Sequence, residues 1–193
     1  MYESVAGRSV MEVVAEGDGF FEESLVDTVA QIPGVKAAVP SVQKLTAIHF
    51  NGSKPKLLAM GIDPERDSAV RDYELKEGVF FSAKNEAMLE TGFAQGLGVK
   101  VGDEVRLAAS RGGLSGSLKS FRIVGLLSPR GAAGFNQGGI VFLPLATAEQ
   151  AFGSRGQINM INVALKEGAD EAATLQAIQK ALPVGMSVRS PMA

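Results

Sequence analysis

A chain of 193 residues, 46% of them apolar and 21% charged, can bury one sizeable core or divide between two lobes of roughly 90 to 100 residues each. A formal net charge of -2 removes nucleic acid and anionic membrane surfaces as obvious partners, and the absence of cysteine removes disulfides, thiolate catalysis and Cys-based metal sites. No apolar stretch approaches the roughly 18 to 20 residues that cross a bilayer, and the opening MYESVAGRSV lacks the basic and apolar regions of a signal peptide.

In chain order, VMEVVA (10–15) is β-branched and reads as a strand, followed by turn and cap residues Glu16, Gly17, Asp18 and Gly19. Phe21, Leu25, Val29 and Ile32 recur at helical spacing and predict a helix over 20–32, with Glu22, Glu23 and Asp27 on its wet face and Pro33-Gly34 as its stop. A short strand follows over 35–39 and ends at Pro40. An extended run over 42–51 then turns at Asn51-Gly52, a strong hairpin signal, and returns over 57–62.

The segment 74–129 has a different character, with strand and turn signals apart from a short helical stretch near 87–97. Gly102-Asp103 predicts a tight turn into a strand carrying Val105 and Leu107, and FRIVGLL (121–127) is a second strand. SRGGLSGSLKS (110–120) between them reads as a flexible loop, and GAAGFNQGG (131–139) as a mobile connection. A strand over 140–143 and a short helix over 146–152 complete this part.

The stretch 158–191 repeats the opening plan: a strand, an Asp170 cap, a helix over 172–182 with Leu175, Ile178 and Leu182 on one face, a Pro183 stop and a strand over 184–189. Two βαβ units that each leave a hydrophobic face uncovered are stabilised by joining into one sheet with both helices on one side. The expected fold is α+β: a split βαβ, porter-like or ferredoxin-like lobe formed by both chain ends (1–73 and 130–193), with a small β-rich lobe inserted at 74–129. Coincidental echo of two ordinary α/β segments is the plainer explanation of the repeat.

Signals for chemistry are sparse. The single histidine, His49, sits in a strand-like TAIHF run and reads as a half-buried structural residue. Gly96, Gly98 and Gly102 have GxGxxxG spacing and lead into a strand, which excludes a dinucleotide loop, and no GxxxxGK[ST] occurs. Gly113 to Ser117 lacks the final glycine of a nucleophile elbow. Glu22-Glu23 reads as helix solvation, Asp103-Glu104 as a turn without the oxygens a cation needs, and Asn51-Gly52-Ser53 as a hairpin that happens to match a sequon. No catalytic, cofactor or metal site is expected. Phe135, flanked by Asn136 and Gln137, is the one candidate partner contact, with folding back onto the core as the commoner fate of a loop Phe.

Taken together, IPGVKAAVPSV, EGVFFS, LGVKVGDEVRL, FRIVGLL, GIVFLPLATAEQAFG and INMINVALKEGAD, in that order and spacing, resemble the periplasmic core domain of MacB-type ABC permeases, a group that includes the lipoprotein-releasing permeases. The resemblance implies an extracytoplasmic domain of an integral membrane protein, placed between the first two of four membrane helices. It also implies a dimer with a second permease copy, driven by a cytoplasmic ABC ATPase and served by a periplasmic adaptor or a lipoprotein carrier. In that case the chain is a segment of a longer protein, and the domain is a lever without catalytic role or cofactor, with joints expected at 63–72 and 131–139. Two other classes predict different things. A free-standing extracytoplasmic ligand-binding protein predicts a ligand cleft between lobes, and a carboxylate enzyme predicts two or more raised carboxyls in one cleft.

Overall fold

The computed structural model describes residues 10–111, 114–130 and 138–190. In chain order its strands are β1 (Val10–Ala15), β2 (Phe21–Glu22), β3 (Val35–His49), β4 (Lys56–Ile62), β5 (Asp72–Gly78), β6 (Glu86–Glu90), β7 (Glu104–Arg111), β8 (Leu114–Arg130), β9 (Ile140–Pro144), β10 (Gln157–Ile158), β11 (Met160–Leu165) and β12 (Met186–Arg189). The helices are α1 (Leu25–Ala30), α2 (Pro64–Asp67), α3 (Thr91–Leu97), α4 (Leu145–Ala151) and α5 (Glu171–Ala181).

The two ends of the chain form one antiparallel sheet in the order β12-β1-β11-β3. Helix α1 links β1 to β3, and α5 links β11 to β12, so each pair of helix-linked strands encloses a strand of the other pair. Period-two alternation sorts the faces. Met11, Val13, Ile161 and Val163 point toward Val26 and Val29 of α1 and Ile178 of α5, while Val10, Val39 and Ala164 on the other face are covered by Ala69 and Val70. The Asp170 carboxylate caps α5 by accepting from the Ala173 amide at 3.1 Å, as its sequence position predicts.

Strand β3 is 15 residues long and changes partners along its length. Val35 to Ser41 pair with β11, and Val42 to Ala47 pair with β4. Pro40 therefore does not end the strand: it stands just before β4 pairing begins, where one edge of β3 has no ladder to lose and a missing donor costs little. Beyond it, β3, β4, β9, β6, β8 and β7 are successive hydrogen-bonded neighbours, and β7 returns to β3 through Ile48 and His49. The result is a closed ring of six strands, with β5 attached to β8. The ring takes β3, β4 and β9 from outside 74–129, so hydrogen bonding crosses both positions at which an inserted lobe was expected to begin and end. One apolar cluster likewise runs from Met11 and Val163 in the first sheet to Val105 and Phe121 in the ring.

Two further local expectations are corrected. The helix expected over 20–32 is shortened to α1, because β2 pairs with β10, burying Phe21 and taking Glu22 out of the helical register. The loop expected over 110–120 is largely strand. β7 runs to Arg111 and β8 begins at Leu114, since the register set by Val105 opposite Phe121 carries the ladder through a Gly/Ser-rich run. The Asn51-Gly52 turn is as expected, with φ of 49° and 81° at its two central residues, the left-handed pair that a two-residue hairpin requires.

Candidate functional site

β4 and β9 run parallel, and beyond their C-terminal ends the chain turns into α2 and α4, leaving a crevice beside those helices. The cleft has a volume of about 530 Å³. Ile62, Phe81, Pro144 and Leu145 supply its apolar wall, and Glu23, Asp63, Lys84, Thr147 and Glu149 its polar groups. Helix α4 reaches the sheet closely because Gly61 has no side chain: a Cβ there would lie 2.3 Å from that of Ala148. The 82–84 wall is held by Glu86, whose carboxylate accepts from the Ser82 and Ala83 amides at 2.8 and 3.1 Å, and by Thr147, which donates to the Lys84 carbonyl at 2.8 Å. The Ser82 amide bond holds the Glu86 carboxyl below its usual range.

Glu149 is the unusual group. It is 8% exposed, accepts from the Gly156 amide at 3.3 Å, and lines the same cleft as the Glu23 carboxyl. Burial, with the Glu23 charge and hydrogen bond adding to it, pushes the Glu149 carboxyl up to about 7.

A second polar cluster lies on the face of the α/β sheet opposite α1 and α5. Asp67 is fully buried at the end of α2 and accepts from Arg71 and from the Tyr73 hydroxyl. Arg71 also donates to Asn162 Oδ1 of β11 at 2.6 Å, and Arg66 donates to the Ala38 carbonyl of β3 at 3.3 Å. Burial raises the Asp67 carboxyl, and the Arg71 charge opposes that rise. The Tyr73 ring packs edge-on against Phe142 of β9, with centroids 5.3 Å apart. The connection 63–72, expected as a joint, thus contains a helix capped by Asp63 and fastened to both the first sheet and the ring.

The structure separates most of the residues singled out in the sequence. His49 is half-buried at the far end of β3, Asp103 accepts from the Lys100 amide at 2.9 Å to close its turn, and Glu22 is exposed. Glu23, expected on a wet helix face, enters the cleft because it follows a strand pair. Phe135, Asn136 and Gln137, and nearly all of the 131–139 connection, lie outside the described residues. Sequence reasoning missed Glu149, Asp67, Arg71, Tyr73 and Asn162. An i, i+4 acid–base pair at Asp67 and Arg71 was the available signal for the second cluster, and an acid between Ala148 and Ala151 on a short helix was the signal for the first. Two carboxyls are raised, as a carboxylate enzyme would show, but Asp67 lies outside the cleft that holds Glu149. Among the described residues no group of three His, Cys, Asp or Glu is placed to hold a metal ion, and no helix is long and apolar enough to cross a membrane.

The model of the MacB-like periplasmic core domain family matches residues 3–181. The chain belongs to that family. It is an extracytoplasmic domain of an ABC-type transporter permease. The fold agrees. The extracellular domain of the noncanonic ABC-type transporter YknZ from Gram-positive bacteria superposes with a TM-score of 0.70 at 15% identity, over 94% of this chain and 100% of that one. The periplasmic region of MacB from Actinobacillus actinomycetemcomitans superposes with a TM-score of 0.68 at 11% identity, over 95% of this chain and 89% of that one. No curated protein matches the chain.

Proposed function

We propose that the domain is a non-catalytic lever, working without a cofactor, that carries ATP-driven movement from membrane helices to partner or cargo proteins during export or lipoprotein release. The observation that carries this reading is the continuity of β3, a single strand that belongs to the α/β sheet over Val35 to Ser41 and to the ring from Val42 onward. β1 begins and β12 ends at the same edge of the molecule, where Arg189 donates to Glu12 at 3.0 Å, so displacement at that edge enters the sheet at adjacent strands. The Asp67, Arg71, Tyr73 and Asn162 cluster and the shared apolar core then favour motion of sheet and ring together, since closely packed interiors transmit displacement and do not absorb it. In this reading a second permease copy completes a dimer, the cytoplasmic ABC ATPase drives it, and a periplasmic adaptor or lipoprotein carrier meets its outer part.

The test is a distance measurement in the full-length permease with its ATPase. The chain has no cysteine, so spin labels at Lys36→Cys and Gln95→Cys, both exposed, report on the α/β sheet and the ring of one copy. The expected result is an unchanged distance within a copy and a changed distance between copies when ATP binds. A nucleotide-dependent change within a copy overturns the lever.

A further inference from the structure

Glu23 and Glu149 meet across a junction. Glu23 directly follows β2, and its amide donates to the Gly156 carbonyl at 3.0 Å, which ties it to the start of β10. Glu149 stands on α4, which rests on β4 of the ring through Gly61 and Ala148. One oxygen of Glu149 accepts from the Gly156 amide, and the other is buried without a donor in the cleft that Glu23 also lines. Two carboxylates that share a partly buried cleft repel unless one of them holds a proton; with it, one carboxyl can donate to the other in a short, charge-assisted bond. The buried Ser154 hydroxyl nearby, also without a partner, adds no donor to the pair.

We propose that the Glu23–Glu149 pair is a proton-operated latch that fastens the segment around β2 to α4 and so closes one side of the cleft that both residues line. With the proton in place the contact is attractive. When it is lost, two negative charges face each other and the 20–24 segment parts from α4. The transition falls near neutrality because burial, then Glu23, disfavours the charged form of Glu149. Among the described residues the other charged side chains lining the cleft are Asp63, whose carboxylate caps α2, and Lys84. No charged residue of β3, β4, β7 or β9, the strands against which α4 packs, lines it. The latch is independent of the lever reading: it concerns how one contact within the domain opens.

The experiment titrates the 193-residue chain, 13C-labelled at its glutamate carboxyls, from about pH 4 to about pH 9 by NMR, recording amide hydrogen exchange at each step. One glutamate carboxyl is expected to titrate near neutrality and to vanish in Glu149→Gln. As it ionises, exchange at the Glu23 amide should accelerate about tenfold beyond the ordinary base-catalysed rise. In Glu149→Gln, whose amide donates at every pH, that extra acceleration is absent. Glu23→Gln alters a half-buried side chain and decides the matter even if Glu149→Gln does not fold: the Glu149 carboxyl should drop toward the ordinary range and the extra exchange should disappear. Titration of Glu149 with the other carboxyls overturns the latch. So does titration near neutrality with exchange that follows base catalysis alone.

Discussion

The two polar clusters at the junction of sheet and ring solve the same problem in opposite ways. Around Asp67, a buried negative charge meets a guanidinium and a phenolic hydroxyl, and the guanidinium reaches on to Asn162, so every polar group has a complementary partner. Around Glu149, two groups of the same sign are brought together and become complementary only when a proton joins them. The difference teaches that burial alone does not decide whether a polar contact holds a junction permanently. Partner chemistry does, and it makes the first cluster a fixed pin and the second a conditional one.

Removing the guanidinium should break the comparison most severely. Arg71→Met leaves Asp67 buried without its counter-charge, and chemical denaturation should show a loss of about 3 to 5 kcal/mol. Tyr73→Phe is milder, since it deletes the hydroxyl donated to Asp67 and keeps the edge-on contact with Phe142; a loss of about 1 to 2 kcal/mol is expected by the same measurement.

The conditional cluster should instead reveal itself as a slope with pH. The unfolded chain releases the Glu149 proton near the ordinary glutamate value of 4.5, whereas the folded chain holds it to about 7. Between those values the native state binds more protons, so this contribution is fully present below about 4.5 and is lost as pH rises through about 7. Denaturation midpoints should fall over that window by an amount on the order of 1 kcal/mol, after allowance for solvent at the cleft mouth, and Glu149→Gln should remove the slope. The smallest effect is expected at the domain edge. Arg189→Gln breaks an ion pair whose arginine is half exposed, and should cost less than about 1 kcal/mol.

Legibility in the sequence followed the range of the forces involved. The β1 strand, the Asn51-Gly52 hairpin, the α5 helix with its Asp170 cap and the β9-α4 pair were all readable, because dihedral preference, capping and periodicity act within a few residues. The misreadings lay where a distant partner overrode local preference. Phe21 and Glu22 have helical spacing but pair with residues more than a hundred positions away, and the Gly/Ser-rich 114–120 run is strand because β7 lies beside it. Glu23 failed with its helix, and Glu149 was hidden because nothing near it in sequence announces a second carboxyl.

By itself, then, the sequence determined the element types, the repeated strand–helix–strand plan, the α+β class and a resemblance to the permease domain family. All of these rest on local physics or on the order of local motifs. Only the tertiary structure decided that β3 passes unbroken through Pro40, that the β-rich part closes into a ring using strands from outside 74–129, and which acids meet a base and which meet another acid. Those outcomes depend on which surfaces far apart in the chain are brought together to exclude water, and on the charges carried along with them, a pairing that local preference does not encode.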